Sequence, residues 1–126
     1  YSANLARFVD DARAAGARPI LVTSIPRRTF KADGKLVGEL APYAEAVRAV
    51  AAEKKVPLVD LFKVSVEAIE RLGPAASEEL GPMKDGKRDR THLARPGMEL
   101  TADLLVKELG RVVPDMAPLF RREKQP

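Results

Sequence analysis

The sequence predicts an α/β fold built on parallel strands, and three observations carry that expectation. Ile20-Leu21-Val22-Thr23-Ser24-Ile25 is an apolar, β-branched run without alternation, as in a strand covered on both faces. A second short run, Val56-Pro57-Leu58-Val59-Asp60-Leu61, has the same character. Between them lie a polar loop and a helical stretch, so the order is strand, loop, helix, strand: a βαβ unit whose crossover is right-handed.

Each element has a local cause. Leu5, Phe8, Val9 and Ala12 fall at i, i+3, i+4 and i+7, with Arg7, Asp10, Asp11 and Arg13 turned away, which predicts an amphipathic helix ended by Gly16. Pro19 opens the first strand and Pro26 stops it. Residues 27–39 are polar and contain the turn signal Asp33-Gly34, so they read as a loop at the strand's C-terminal end. A helix begins near Leu40, with Pro42 in its first turn. Its expected buried stripe is Leu40, Tyr43, Ala44, Val47 and Ala51, its wet side Glu45, Arg48 and Glu53, and Lys54-Lys55 suit its C-terminal dipole end. The second strand ends in the carboxylate of Asp60. A third helix is expected over residues 62–72, stopped by Gly73-Pro74, followed by a loop over 75–91 with one short helical turn near Ser77 to Leu80. The last helix runs from Pro96 through Met98, Ala102, Leu105 and Leu109 to Gly110, and a basic tail follows.

Composition narrows the chemistry. With 126 residues the chain has the length of one domain. It holds no cysteine, which excludes disulfide frameworks, thiolate zinc sites and thiol nucleophiles. A single histidine, His92, excludes a multi-histidine metal site. The 22 basic residues face 18 acidic ones, a mixed surface with a net charge of +4 that gives little support to nucleic-acid binding. No apolar run approaches the ~18 residues of a membrane span. Two parallel strands do not make a protected sheet, and the sequence opens at Tyr1 without a methionine. The expectation is a piece of a longer reading frame, with the remaining strands upstream of Tyr1.

Three groups of residues are candidates for chemistry. Gly81-Pro82-Met83-Lys84-Asp85-Gly86-Lys87-Arg88 has the spacing of a phosphate-binding loop up to its lysine. Arg88 replaces the required hydroxyl, Pro82 removes a cradle N–H, and no strand leads in, so a solvated turn is expected. The basic pairs Arg27-Arg28, Lys54-Lys55 and Arg121-Arg122 lack interleaved aromatics and read as solvated faces. Arg27 and Arg28 differ from the others because they follow the C-terminal end of a parallel strand, where open α/β sheets bind ligands. The third group is Asp89-Arg90-Thr91-His92-Leu93, followed by Pro96-Gly97 and a helix. An aspartate three residues before a histidine in a turn can hold one ring nitrogen and leave the other free as a general base.

Asp-x-x-His shortly before the last helix of a parallel α/β chain resembles the C-terminal block of the SGNH/GDSL hydrolases. More narrowly, the strand with Pro26-Arg27-Arg28-Thr29-Phe30, the Tyr43 helix, Val59-Asp60-Leu61 and Asp89-Arg90-Thr91-His92-Leu93 together look like the second half of rhamnogalacturonan acetylesterase-type proteins. The resemblance implies a flavodoxin-like, three-layer α/β fold, of which this chain supplies about two strands and four helices, with residues 1–110 the C-terminal portion of the hydrolase domain and 111–126 a basic tail. It implies a carbohydrate ester hydrolase that removes acetyl groups without metal or organic cofactor, secreted or periplasmic, with an acetylated carbohydrate as partner and neither nucleic acid nor membrane. His92 would be the base for a serine nucleophile, Asp89 would orient its ring, and Arg27 and Arg28 would lie near the substrate.

The sequence also departs from that family. Gly-Asp-Ser, which bears the family's nucleophile, is absent, and the serines are Ser2, Ser24, Ser65 and Ser77. Gly-x-Asn-Asp is absent as well, and Asn4 is the one asparagine. The expectation is a chain that carries the acid–base part of the site, is inactive alone, and depends on a missing N-terminal segment or chain for the serine. The alternative is a non-catalytic α/β remnant or polyanion-binding module that uses Arg27 and Arg28.

Overall fold

The structure, a computed structural model, describes residues 1–120. Four helices carry the fold: α1 (Ser2–Ala14), α2 (Ala41–Lys54), α3 (Leu61–Ser77) and α4 (Arg95–Val112). Strands β1 (Leu21–Val22) and β2 (Leu58–Val59) pair in parallel, Leu21 opposite Leu58 and Val22 opposite Val59. Strands β3 (Met83–Lys84) and β4 (Lys87–Arg88) form a small hairpin, and 3-10 turns occupy Glu78–Leu80 and Pro114–Leu119. The α-β-α-β-α-α order read from the sequence is therefore present, and the architecture is α/β.

The regular ladder is shorter than the two apolar runs. Leu21 N–H donates to Pro57 O at 3.0 Å and Thr23 N–H to Val59 O at 3.1 Å. β1 and β2 each have one strand neighbour among the described residues, so the register extends no further than that one contact supports. Val22 is 41% exposed, so the first strand is not covered on both faces within residues 1–120.

Two clusters form the core. Val9 of α1, Ala51 of α2 and Val56 are buried together against Leu21 and Leu58. Leu36, Ile69 and Leu80 form the second, with Phe30, Val66 and Leu100 packed on it, so the loop after β1, α3, the first 3-10 turn and α4 share one contact. The Asp33-Gly34 turn forms as expected: Lys35 N–H donates to Asp33 Oδ1 at 2.9 Å, and Phe30 bridges antiparallel to Leu36. Gly73 interrupts α3 with φ 80°, ψ 171°, a backbone that only glycine adopts easily, and Pro74 follows, so the expected stop appears as a sharp kink.

Several side chains take other places than their periodicity suggests. Phe8 and Tyr43 are exposed, the first under the Arg7 guanidinium at 5.5 Å and the second edge-on to Tyr1 at 5.4 Å. In α4 Met98 is exposed, and Gly97 and Glu108 are buried instead. α4 also continues past Gly110 to Val112, and Val113 is buried, while Leu119 further along is exposed; residues 121–126 of the expected tail lie outside the described residues.

Arg48, expected on the wet side of α2, is the main tie between layers. Its Nε and Nη2 donate to Asp60 Oδ2 and Oδ1 at 2.8 and 2.9 Å. Asp60 caps α3 by accepting from Lys63 N–H, and it accepts from the Thr23 hydroxyl, whose oxygen accepts Phe62 N–H at 2.7 Å. Burial pushes the Asp60 carboxyl up, but the Arg48 hydrogen bond, the Lys63 N–H, the Arg48 charge and the Thr23 hydroxyl outweigh it and hold the carboxyl below its ordinary value. Removing the cation leaves a half-buried carboxylate, so Arg48→Ala is expected to cost about 2 kcal/mol, between an exposed and a buried pair. The lowered folded value sets the sign. The stabilisation is present above the ordinary carboxyl value of about 4 and is lost as pH falls through the folded value. Urea unfolding of wild type and variant should therefore differ most above about pH 5 and converge in acid.

Candidate functional site

Pro26 ends the first strand run, and the chain then passes along the segment that joins β4 to α4. Arg28 N–H donates to Arg90 O at 2.9 Å. From the other side Asp89 N–H donates to Pro82 O at 2.9 Å and Ala94 N–H to Leu80 O at 2.8 Å. Two ion pairs add to this, Arg88 to Glu79 at 2.7 Å and Arg90 to Glu78 at 2.9 Å. The β3–β4 hairpin turns through Asp85 and Gly86, both with positive φ, the geometry of an Asp-Gly type I′ turn. The phosphate-loop spacing noted in this segment is thus a hairpin with no helix opening behind its lysine.

Asp89 organises the turn at residues 89–92. Its Oδ1 accepts Thr91 N–H at 2.7 Å and His92 N–H at 2.9 Å, the side-chain-to-backbone pattern that aspartate favours. Its Oδ2 lies 2.8 Å from His92 Nδ1. The His92 N–H, then the imidazole, then the Thr91 N–H hold the Asp89 carboxyl well below the usual carboxylate range. In the neutral ring the proton then sits on Nδ1 and Nε2 carries the free lone pair. The His92 side chain is 75% exposed while that of Asp89 is 14% exposed, so the carboxylate is sheltered and most of the ring is open. The pair that the sequence singled out is one unit in space.

The two arginines separate. Arg27 is exposed and lies 4.0 Å from Glu39. Arg28 is 3% exposed, and its Nη2 donates to Asp89 O and His92 O, each at 2.7 Å. Burial pulls its guanidinium down from the ordinary value against the charges of Asp89 and Glu78. Its guanidinium therefore faces the turn, whereas the expectation put both arginines near the substrate. Ser65 and Ser77 are buried and donate to carbonyls of their own helix, Leu61 and Phe62 for the first and Pro74 for the second, so neither is poised as a nucleophile. Ser24 and Ser2 are exposed. Among the described residues no cluster of three or more His, Asp or Glu is placed to hold a metal ion, and no helix is long and apolar enough to cross a membrane.

Sequence reasoning missed Gly81. A Cβ there would collide with Asp89 O and the Arg28 guanidinium, so the turn and the arginine approach this backbone as closely as glycine permits. The Gly81-Pro82 dipeptide, at the head of the segment with phosphate-loop spacing, is the available signal.

Comparison with known proteins agrees with the resemblance to rhamnogalacturonan acetylesterase-type proteins. The chain is 34% identical over 123 residues to rhamnogalacturonan acetylesterase RhgT of Bacillus subtilis, a match covering 88% of this chain and 53% of that protein. It is 29% identical over 113 residues to YesY of the same organism, named a probable rhamnogalacturonan acetylesterase, with 87% and 52% covered. The crystal structure of protein YXIM from Bacillus subtilis matches with a TM-score of 0.75 and 31% identity, over 87% of this chain and 30% of that one. No family model matches. The chain is thus similar, over most of its length, to proteins named rhamnogalacturonan acetylesterases. It spans about half the length of the curated relatives it matches.

Proposed function

We propose that the protein carries the acid–base half of a carbohydrate ester hydrolase that deacetylates rhamnogalacturonan-like polysaccharide. The observation that carries this reading is the 2.8 Å contact between Asp89 Oδ2 and His92 Nδ1, on a ring whose other edge is open. Nε2 of His92 takes the proton from a serine hydroxyl as its oxygen attacks the acetyl carbonyl, then gives it to the departing sugar alcohol. The acetyl-serine that forms is hydrolysed by water activated on the same nitrogen, releasing acetate and restoring the serine. Asp89 fixes the tautomer and stabilises the imidazolium in both steps. The serine and the oxyanion donors come from residues outside these 126.

In the same reading the sheet is flavodoxin-like, with β1 and β2 as its last two strands, residues 1–110 belong to the hydrolase domain and 111–126 are an appended tail. The exposed Val22 and the edge of β1, unpaired among the described residues, support further strands there. The exposed Arg27 remains a candidate contact for an acidic saccharide. The polyanion-binding alternative is weakened, because Arg28 is buried.

The test compares the 126 residues alone with the same chain extended by its upstream coding segment. The chain alone is expected to hydrolyse an aryl acetate no faster than buffer, and the extended protein to do so catalytically. Hydrolysis by the chain alone beyond that of an equal concentration of free imidazole, lost on His92→Ala, would mean that the chain carries its own nucleophile and would end the half-site reading. An inactive but folded extended protein bearing Gly-Asp-Ser would end the esterase reading.

A further inference from the structure

The N–H groups of Thr91 and His92 in the 89–92 turn are held by the Asp89 carboxylate. The carbonyls on its back need partners too, and one residue meets three of them. Arg28 N–H donates to Arg90 O at 2.9 Å, and Arg28 Nη2 donates to both Asp89 O and His92 O at 2.7 Å. The guanidinium is buried, and its Nη1 has no partner among the described residues. A cation in that situation is costly, so packing alone does not account for it. Gly81 leaves just enough room for the guanidinium against Asp89 O.

We infer that Arg28 is a positioning residue for the Asp89–His92 pair: by clamping the carbonyls of residues 89, 90 and 92 it fixes the turn in the one shape that brings Oδ2 onto Nδ1. It acts through the backbone and does not touch the substrate. Asp89 can satisfy the turn's N–H groups in several slightly different shapes, but the two short charge-assisted bonds from one nitrogen fix the separation between the carbonyls of residues 89 and 92. Lysine offers several donors on one nitrogen and can take the place of Nη2, whereas methionine fills the volume and offers none.

This role rests on the reading of His92 as the base, but its test reads the ring and not hydrolysis, so the two fail separately. His92 is the single histidine of these 126 residues, and comparison with His92→Ala assigns its ring ¹⁵N signals unambiguously. In wild type the neutral ring should show the Nδ1–H pattern, and the Arg28 guanidinium protons should exchange slowly with couplings to the carbonyl carbons of Asp89 and His92. Arg28→Met should lose the Nδ1–H pattern in favour of Nε2–H, Arg28→Lys should recover most of it, and Gly81→Ala, which keeps the arginine but fills its place, should lose it. Retention of the Nδ1–H pattern in folded Arg28→Met overturns the proposal. If neither variant folds, the wild-type spectrum decides: guanidinium protons that exchange at the rate of a free arginine overturn it equally.

Discussion

Replacing His92 by alanine in the extended, serine-bearing protein is expected to lower kcat for aryl acetate hydrolysis by about 10⁴- to 10⁶-fold while KM changes little, since the members of such a triad act as a unit. The position allows a clean measurement. The ring is 75% exposed, so its removal opens no cavity. The backbone bonds from Thr91 and His92 to Asp89 Oδ1 are donated by main-chain N–H groups and survive the substitution. Thermal unfolding should therefore be nearly unchanged while turnover disappears. A His92→Ala protein within a factor of about ten of wild type would mean that proton transfer runs through another group, and the acid–base reading would fail.

What the sequence made legible was whatever is decided locally. The Asp89–His92 contact closes across three residues, so residue types and spacing were enough to place it. The two parallel strands and the Gly73-Pro74 break were equally local, because β-branched runs and backbone-restricted residues carry their own preference. What escaped was decided by distant neighbours. Arg27 and Arg28 are identical in sequence terms, yet one lies beside Glu39 at the surface and the other is buried under a turn more than sixty residues away. Periodicity named apolar faces for the helices at Phe8, Tyr43 and Met98, but a helical face is buried only where something covers it, and within residues 1–120 these three are open. Arg48 went the other way: a cation on the expected wet side found Asp60 at the end of β2 and became partly buried. The strand limits were misjudged for the same reason, since an apolar run becomes a ladder only opposite another strand.

Asp89→Asn is expected to lower kcat by about 10⁴-fold without disturbing the turn, and the reason is a reversal of one hydrogen bond. Asparagine keeps an oxygen that can accept from the N–H groups of Thr91 and His92, so the backbone shape has no cause to change. The atom that replaces Oδ2, however, is an amide nitrogen that donates. Facing Nδ1 at 2.8 Å in wild type, it forces Nδ1 to accept and moves the ring proton to Nε2, the nitrogen that must be free to receive the serine proton. The folded protein then holds a correctly placed imidazole in the wrong tautomer, and its ¹⁵N ring spectrum should show that directly. In wild type the carboxyl is held well below the usual range by the His92 N–H, the imidazole and the Thr91 N–H. Its contribution is therefore complete above the ordinary carboxyl value of about 4 and is lost only as pH falls through the lowered folded value. A loss of wild-type activity on mild acidification therefore does not come from protonation of Asp89. Adding base should not rescue Asp89→Asn at neutral pH, because the amide does not titrate. An Asp89→Asn protein that keeps both the Nδ1–H pattern and near-normal turnover would show that the carboxylate neither sets the tautomer nor stabilises the imidazolium, and that the two residues are neighbours without being partners.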